Sequence, residues 1–288
     1  MQSFKTIAAM RQQLSEWRRA GQGIAFVPTM GNLHDGHIAL IRHARTLADR
    51  IVVSIYVNPL QFNSAVDLDR YPVTLADDCQ RLAAEAADAL YLPDAGQIYP
   101  YGLDDSVRVS VPGLSDVLEG AFRPGHFTGV TTVVAKLFNI IQPDLAVFGE
   151  KDLQQLLLIR RMAADLLLPV KVLGVATVRD ADGLAMSSRN GNLSVSERQR
   201  AGILYQVLAA TREQWHQQLA PGVGDWRVLE QAAMAELEHK GLRPEYVSIR
   251  RGEDLAEPVS GRAMNDQSLY VLAAAWLGQT RLIDNLSL

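Results

Sequence analysis

The sequence predicts an α/β fold, a parallel sheet covered by helices on both faces, followed by a smaller α+β domain. Three observations carry this. Strand-like apolar runs alternate with helix-like runs through the first two-thirds of the chain. Polar clusters stand directly after several of those runs, where open α/β sheets bind their ligands. The tail then changes to two helical runs followed by strand candidates, with a boundary near residues 176–180.

The runs at 24–27, 51–57, 89–92 and 145–148 are apolar, short, and end at Pro, Asn or Gly, as buried strands do. A further run at 170–178 is interrupted by Gly174. Helical spacing marks 35–48, 75–87, 130–141 and 152–166; the first places Ile38, Leu40, Ile41, Ala44, Leu47 and Ala48 mostly on one face. In the tail, helical runs at 195–218 and 226–240 are separated by Pro221, Gly222 and Gly224. Strand candidates follow at 246–249, 269–275 and 281–284. Two domains are therefore expected, at 1–177 and 178–288.

The chain has 288 residues, enough for a full core. With 48% hydrophobic and 21% charged residues it reads as a soluble globular protein. A formal net charge of −4 argues against a nucleic-acid partner. Cys79 is the lone cysteine, which excludes an intrachain disulfide and a thiolate metal cluster. The N-terminus lacks a charged-then-apolar leader pattern, and apolar stretches such as 270–277 fall far short of the ~20 residues of a membrane helix. No membrane partner and a cytoplasmic location are expected.

The most informative stretch is 26–37, where a short strand runs through Met30, Gly31, Asn32 and Leu33 into His34, Asp35, Gly36 and His37. A helix starting here offers unpaired N–H groups and a partial positive charge, which suits a phosphate. Two imidazoles beside it can bond phosphate oxygens and share a proton near neutral pH; alternatively they only cap the helix. Zinc is disfavoured, because no Cys or nearby Glu completes the ligand set. After the second strand, Asn58 and Gln61 are neutral amides suited to a hydroxyl- or carboxylate-bearing substrate, or else a polar turn ordered by Pro59.

A third cluster, Gly149, Glu150, Lys151 and Asp152, again leaves a strand through glycine. Lys151 can neutralise phosphate oxygens, and Asp152 and Gln155 share a helix face. The alternative is an ordinary surface ion pair. A fourth, Met186, Ser187, Ser188 and Arg189 after the turn at 180–183, suits a mobile phosphate clamp or a plain solvated loop. The 123–127 segment reads as a substrate-side loop or a helix lead-in, and Asp77-Asp78 as a water-mediated Mg²⁺ holder or a solvated acidic face.

Taken together, the ordered blocks at 28–37, 53–62, 123–127, 148–155, 182–190, 274–278 and 281–285 resemble the pantoate–β-alanine ligase (pantothenate synthetase) family over nearly the full chain. The 28–37 block is similar to the two-histidine motif of class I aminoacyl-tRNA synthetases. The resemblance implies a Rossmann-like domain of the nucleotidyltransferase and class I synthetase type, a smaller C-terminal lid, and a homodimer. It implies two steps: pantoate attacks the α-phosphorus of ATP to give pantoyl adenylate and pyrophosphate, and β-alanine then displaces AMP to give pantothenate.

Carried onto this sequence, the resemblance assigns Met30 to His37 to ATP, with His34 and His37 on its phosphates and His37 as proton donor. Gly149, Glu150, Lys151 and Asp152, with Met186, Ser187, Ser188 and Arg189, bind the nucleotide. Val178 meets adenine through its backbone. Gln61 and Gln155 hold pantoate, Asn58 and Gln61 stand near the amine, and Asp77 assists Mg²⁺. Lys151, Arg189, His34 and His37 are the expected catalytic set. The chain departs from the synthetases' lysine-bearing loop in having Ala185 and Ser188 at the lysine positions, and from the family in Leu60 and Leu153.

Competing readings are a nucleotidyltransferase that stops after modifying another small acceptor, and a silent nucleotide- or RNA-binding module. The first needs a cationic acceptor pocket, whereas Asn58, Gln61 and Gln155 are neutral. The net charge and the intact motifs count against the second.

Overall fold

The computed structural model describes residues 1–217, 225–259 and 268–288, apart from the side chains of 65 and 66. The helix-breaking residues Pro221, Gly222 and Gly224 lie outside the described residues. The chain divides into two compact units, Met1–Glu150 with Gln154–Ala176, and Lys151–Leu153 with Thr177–Leu288.

The first unit contains β1 (Gln2–Phe4), α1 (Ile7–Arg19), β2 (Ile24–Thr29), α2 (Asp35–Arg45), β3 (Arg50–Ile55), α3 (Ala65–Asp69), α4 (Leu75–Ala84) and β4 (Ala89–Tyr91). It continues through α5 (Ala95–Ile98), α6 (Glu119–Phe122), α7 (His126–Ile141), β5 (Leu145–Gly149), α8 (Leu153–Asp165) and β6 (Lys171–Val175). The strands form one parallel sheet in the order β1-β4-β3-β2-β5-β6, the α/β architecture that the sequence predicts.

Period-two alternation explains why these strands read as continuous apolar runs. Phe26 packs into a core cluster with Met10 and Leu14 of α1 and Phe138 of α7. Its neighbours Ala25 and Val27 pack on the other side with Ile41 of α2 and Leu82 of α4. Both faces are thus covered. From β2 the chain moves one way to β3 and β4, then returns on the other side to β5 and β6, which makes the β2/β5 junction the topological switch point. Pairing of β2 with β5 covers only Ala25 and Phe26, so the strands part before Pro28 and its missing N–H leaves no gap in that ladder.

The second unit contains α9 (Val195–Arg200), α10 (Ile203–Gln217), α11 (Trp226–His239), and an antiparallel sheet β7-β8-β9 (Arg243–Arg251, Leu269–Leu277, Thr280–Ser287). Trp215, Trp226, Leu237, Ile249 and Val271 form its core. The helical run expected from 195 onward is two helices, broken at Ala201-Gly202, where glycine is a poor helix former. The apolar run at 170–178 is strand only to Val175; beyond it Arg179 bridges Ala185 in a short hairpin.

Candidate active site

Three of the predicted clusters leave the carboxyl ends of the neighbouring strands β3, β2 and β5. The loop after β2 is held from below. Thr29 Oγ1 donates to the Ser54 carbonyl at 2.8 Å and accepts the Gly31 N–H at 3.2 Å. Gly31 has φ +83°, a conformation that favours glycine, and a Cβ there would press on Asp78 Oδ2 at 3.0 Å. Asp78, buried in the first turn of α4, accepts the N–H of Asn32 at 2.9 Å and of Leu33 at 2.8 Å. Thr74 Oγ1 donates to Asp78 Oδ1 at 3.2 Å.

His34 is the N-cap of α2 and His37 its third residue, and together they close a capping box. His34 Nδ1 accepts the Gly36 N–H at 3.2 Å, and His37 Nδ1 accepts the His34 N–H at 3.3 Å. The rings stand 4.1 Å apart. Backbone N–H groups of His37 and Ile38 reach the His34 carbonyl. The expectation of unpaired amides at this helix start therefore needs correction, since the loop and cap satisfy most of them internally. An imidazole that accepts at Nδ1 carries its proton on Nε2, so the histidines keep Nε2–H as their donor.

After β3 the chain makes a short 3₁₀ turn at Pro59–Gln61. Asn58 is almost fully buried and its amide is fully engaged: Oδ1 accepts from Tyr99 Oη, and Nδ2 donates to the Gly129 carbonyl and to Gln61 Oε1. Asn58 thereby orients Gln61, which donates from Nε2 to Met30 Sδ at 2.9 Å. A Cβ on Gly129 would lie 2.2 Å from the Leu60 carbonyl oxygen, so α7 approaches this turn only because residue 129 is glycine. The 123–127 segment is the lead into α7. His126 Nδ1 donates to the Gln61 carbonyl at 2.7 Å, and its Nε2 accepts from Arg123 at 3.0 Å.

After β5, Gly149 leads into a 3₁₀ turn, Glu150–Asp152, and then α8. Gln154 is buried, bonding Glu119 N–H and the carbonyls of Leu114 and Val117. Gln155, half-buried, makes no side-chain hydrogen bond among the described residues. Asp77 lies on the exposed side of α4, and its neighbour Asp78 is the carboxylate that faces inward.

In the second unit, Lys151 pairs with Asp152 at 3.7 Å, and its carbonyl accepts from Asn285 Nδ2 at 2.9 Å. The Val178 carbonyl accepts the Met186 N–H at 3.0 Å across the 178–186 hairpin. Ser187 caps a 3₁₀ turn at Ser188–Asn192, accepting the Arg189 N–H at 3.2 Å. The segment expected to be a mobile loop is thus hydrogen-bonded, with Asn190 Nδ2 also donating to the Ala185 carbonyl.

Tyr99 is not singled out by the sequence, and the supporting roles of Asp78 under the loop and of Arg123 and His126 against the Gln61 carbonyl differ from the metal-holding and substrate-side readings that the sequence offers. The signal for Asp78 is its helical phase, in step with buried Leu82 four residues on. Tyr99 has no local signal, because its partner Asn58 is 41 positions away.

A sheet with a switch point, a capped loop bearing two histidines, and oriented amides gather at the strand ends, the candidate ligand site of an α/β enzyme. The sequence profile described as pantoate-beta-alanine ligase matches residues 2–287, and the chain belongs to that family. The pantothenate synthetase of Thioalkalivibrio sulfidiphilus is 56% identical, covering 99% of this chain and 97% of that protein. That of Nitrosococcus oceani is 54% identical with the same coverage. The crystal structure of pantothenate synthetase from Thermus thermophilus is 42% identical with a TM-score of 0.88, covering 99% of each chain. Pantoate-beta-alanine ligase from Francisella tularensis, crystallised with beta-gamma ATP and beta-alanine, is 33% identical with a TM-score of 0.78, covering 100% of this chain and 97% of that one. The chain is accordingly a ligase that joins pantoate to β-alanine to form pantothenate.

Proposed function

We propose that the ligation consumes ATP and passes through pantoyl adenylate, with the strand-end residues of the first unit on the reacting groups. In the first step a pantoate carboxylate oxygen attacks the α-phosphorus. The bond from that phosphorus to the bridging oxygen breaks, and pyrophosphate leaves. In the second, the β-alanine amine attacks the acyl carbon, the bond to AMP breaks, and the amine proton is lost to solvent. No covalent enzyme nucleophile is needed. The protein's task is electrostatic, since an anion must approach a polyanion.

The observation that carries this reading is the double histidine cap. Each imidazole commits Nδ1 to a backbone N–H, which leaves its proton on Nε2. In this reading His34 and His37 bond the phosphates, and His37 Nε2–H follows the charge onto the leaving pyrophosphate. Residues 30–33 form the floor of the nucleotide loop. Gln61 Nε2–H and Gln155 hold pantoate's oxygens, and Asn58 acts through Gln61. Gly149 and Glu150 also bind nucleotide. From the second unit, Lys151, Asp152, Val178, Met186, Ser187, Ser188 and Arg189 are assigned to the nucleotide as well, with Lys151 and Arg189 as the cations.

Among the described residues no cluster of three His, Cys, Asp or Glu side chains could hold a metal by itself. A lone exposed carboxylate such as Asp77, one residue from the Asp78 that supports the loop, fits Mg²⁺ carried mainly by phosphate oxygens and water. When bound, that ion neutralises phosphate charge. Among the described residues no helix is long and apolar enough to cross a membrane; a cytoplasmic location is proposed from the biosynthetic family. A homodimer is proposed from the family resemblance.

Pyrophosphate release from ATP and Mg²⁺ tests the reading. Limited release with D-pantoate alone, becoming continuous with AMP formation when β-alanine is added, is expected. Release that requires β-alanine but not pantoate would overturn the adenylate route.

A further inference from the structure

Buried amide and hydroxyl groups after β3 set which end of Gln61 meets its ligand. Tyr99 Oη donates to Asn58 Oδ1 at 2.7 Å. Asn58 Nδ2 donates to the Gly129 carbonyl at 3.1 Å and to Gln61 Oε1 at 3.2 Å. Gln61 Nε2 donates to Met30 Sδ at 2.9 Å. A carbonyl only accepts, so Gly129 fixes the Asn58 nitrogen beside it. Asn58 Oδ1 must then face Tyr99, and the remaining Asn58 N–H draws in the Gln61 oxygen. Gln61 is left with Nε2 outward, one proton on sulfur and the second without a partner among the described residues.

Tyr99 is itself held in place. It is 3% exposed, and Lys136 Nζ lies 4.6 Å over its ring while donating to the Ile98 carbonyl at 2.8 Å. Burial first, and then neighbouring Tyr56, push its hydroxyl far above the ordinary tyrosine range, so it remains a donor at any working pH.

We infer that Tyr99 is a positioning residue for pantoate: through Asn58 it fixes the Gln61 amide so that it offers N–H and selects a ligand oxygen that accepts. Tyr99 touches neither substrate nor nucleotide in this scheme. A pantoate analogue with a donor in place of that oxygen should be discriminated against. The inference rests on the reading that Gln61 holds pantoate.

Steady-state kinetics on full-length Tyr99→Phe, Gln61→Ala and the double variant test it. Tyr99→Phe removes the donor of one buried amide oxygen and should raise the pantoate KM about tenfold, with the ATP KM unchanged. In the Gln61→Ala background the same change should add about twofold or less, because coupled residues are non-additive. An equal rise in both backgrounds, or an ATP KM that climbs as far as the pantoate KM, would make Tyr99 a general structural residue and end the proposal. A folded Tyr99→Phe with the parent pantoate KM would end it too. If Gln61→Ala leaves the pantoate KM unchanged, the assignment of Gln61 falls and takes this inference with it. Should Tyr99→Phe fail to fold, Asn58→Ser breaks the next link in the same two backgrounds, with the same outcomes expected.

Discussion

The carboxylate of Asp78 accepts the backbone N–H of Leu33 at 2.8 Å, reaching from α4 to a loop 45 residues earlier. With the Asn32 N–H on its other oxygen at 2.9 Å, it turns two loop amides inward and holds Asn32 at a left-handed φ of +50°. These amides are therefore not the anion donors of the loop. In the proposed scheme that work falls to the side chains that follow, His34 and His37, whose rings the same loop places at the start of α2.

Asp78→Ala should consequently affect both stability and nucleotide binding. It leaves two amides without their acceptor, at a cost on the order of 2 kcal/mol. The loop then loses its fixed entry into α2, and the ATP KM should rise about tenfold while the pantoate KM changes little. Urea denaturation and substrate-varied kinetics read the two effects. A variant of parent stability and parent ATP KM would show that Asp78 does not support the loop.

Lys151→Ala should behave differently, because Lys151 makes one loose ion pair, at 3.7 Å, with the half-exposed Asp152. Its fold should be retained. If the lysine carries transition-state charge, pantoate-dependent pyrophosphate release should fall on the order of 10²–10³-fold, the scale of a single electrostatic donor. Near-parent release from the folded variant would remove Lys151 from the catalytic set.

The fold was legible because both faces of the sheet are covered, so β2 to β5 read as unbroken apolar runs between amphipathic helices. β1 was not legible: three residues, Gln2–Phe4, at a sheet edge and mostly exposed, carry no periodicity. α1 did carry a signal, with Met10, Leu14 and Trp17 on one face after the N-cap Thr6, although it was not among the helices expected. Within the site, the histidines and amides stood out because glycine and strand ends frame them. Asp78 was obscured by its neighbour Asp77, because a pair of acids looks alike until helical phase separates them. Tyr99 acts at a distance that only the folded chain closes.

The acid side of the stability profile should carry a contribution from the second unit. Arg198 bonds Asp182 at 2.5 Å and Asp180 at 2.9 Å. The hydrogen bond from Arg198, opposed by burial and aided by the Leu184 N–H, holds the Asp182 carboxyl below its ordinary value. A depressed carboxyl stabilises the fold fully above its unfolded pKa of about 3.9 and loses that stabilisation as pH falls through the lower folded value. Both side chains are about a third exposed, so solvent screening keeps the effect below about 1 kcal/mol. The stability gap between parent and Arg198→Met should therefore be constant above about pH 5 and close toward pH 2. A gap that widens in acid would reverse the assignment.

The strongest stability effect is expected at the pair joining the hairpin to β9. Arg179 grips Asp284 through both nitrogens, at 2.6 and 2.9 Å, while bonding the carbonyls of Gly183 and Asn285 and stacking on Tyr205 at 4.4 Å. The Asp284 side chain is 2% exposed. Removing one partner of such a pair strands a buried charge, so Asp284→Ala should cost about 3–5 kcal/mol. Replacing both partners with apolar groups leaves no charge behind, so Arg179→Met with Asp284→Leu should recover much of that loss. Guanidinium unfolding followed by the fluorescence of Trp215 and Trp226, both in the core of this unit, measures the difference. If Asp284→Ala falls within about 1 kcal/mol of the parent, the pair acts as an exposed salt bridge rather than a buried one. If instead the double variant is as unstable as the single, the loss arises from the hydrogen bonds to Gly183 and Asn285, and the hairpin depends on the guanidinium rather than on its charge partner.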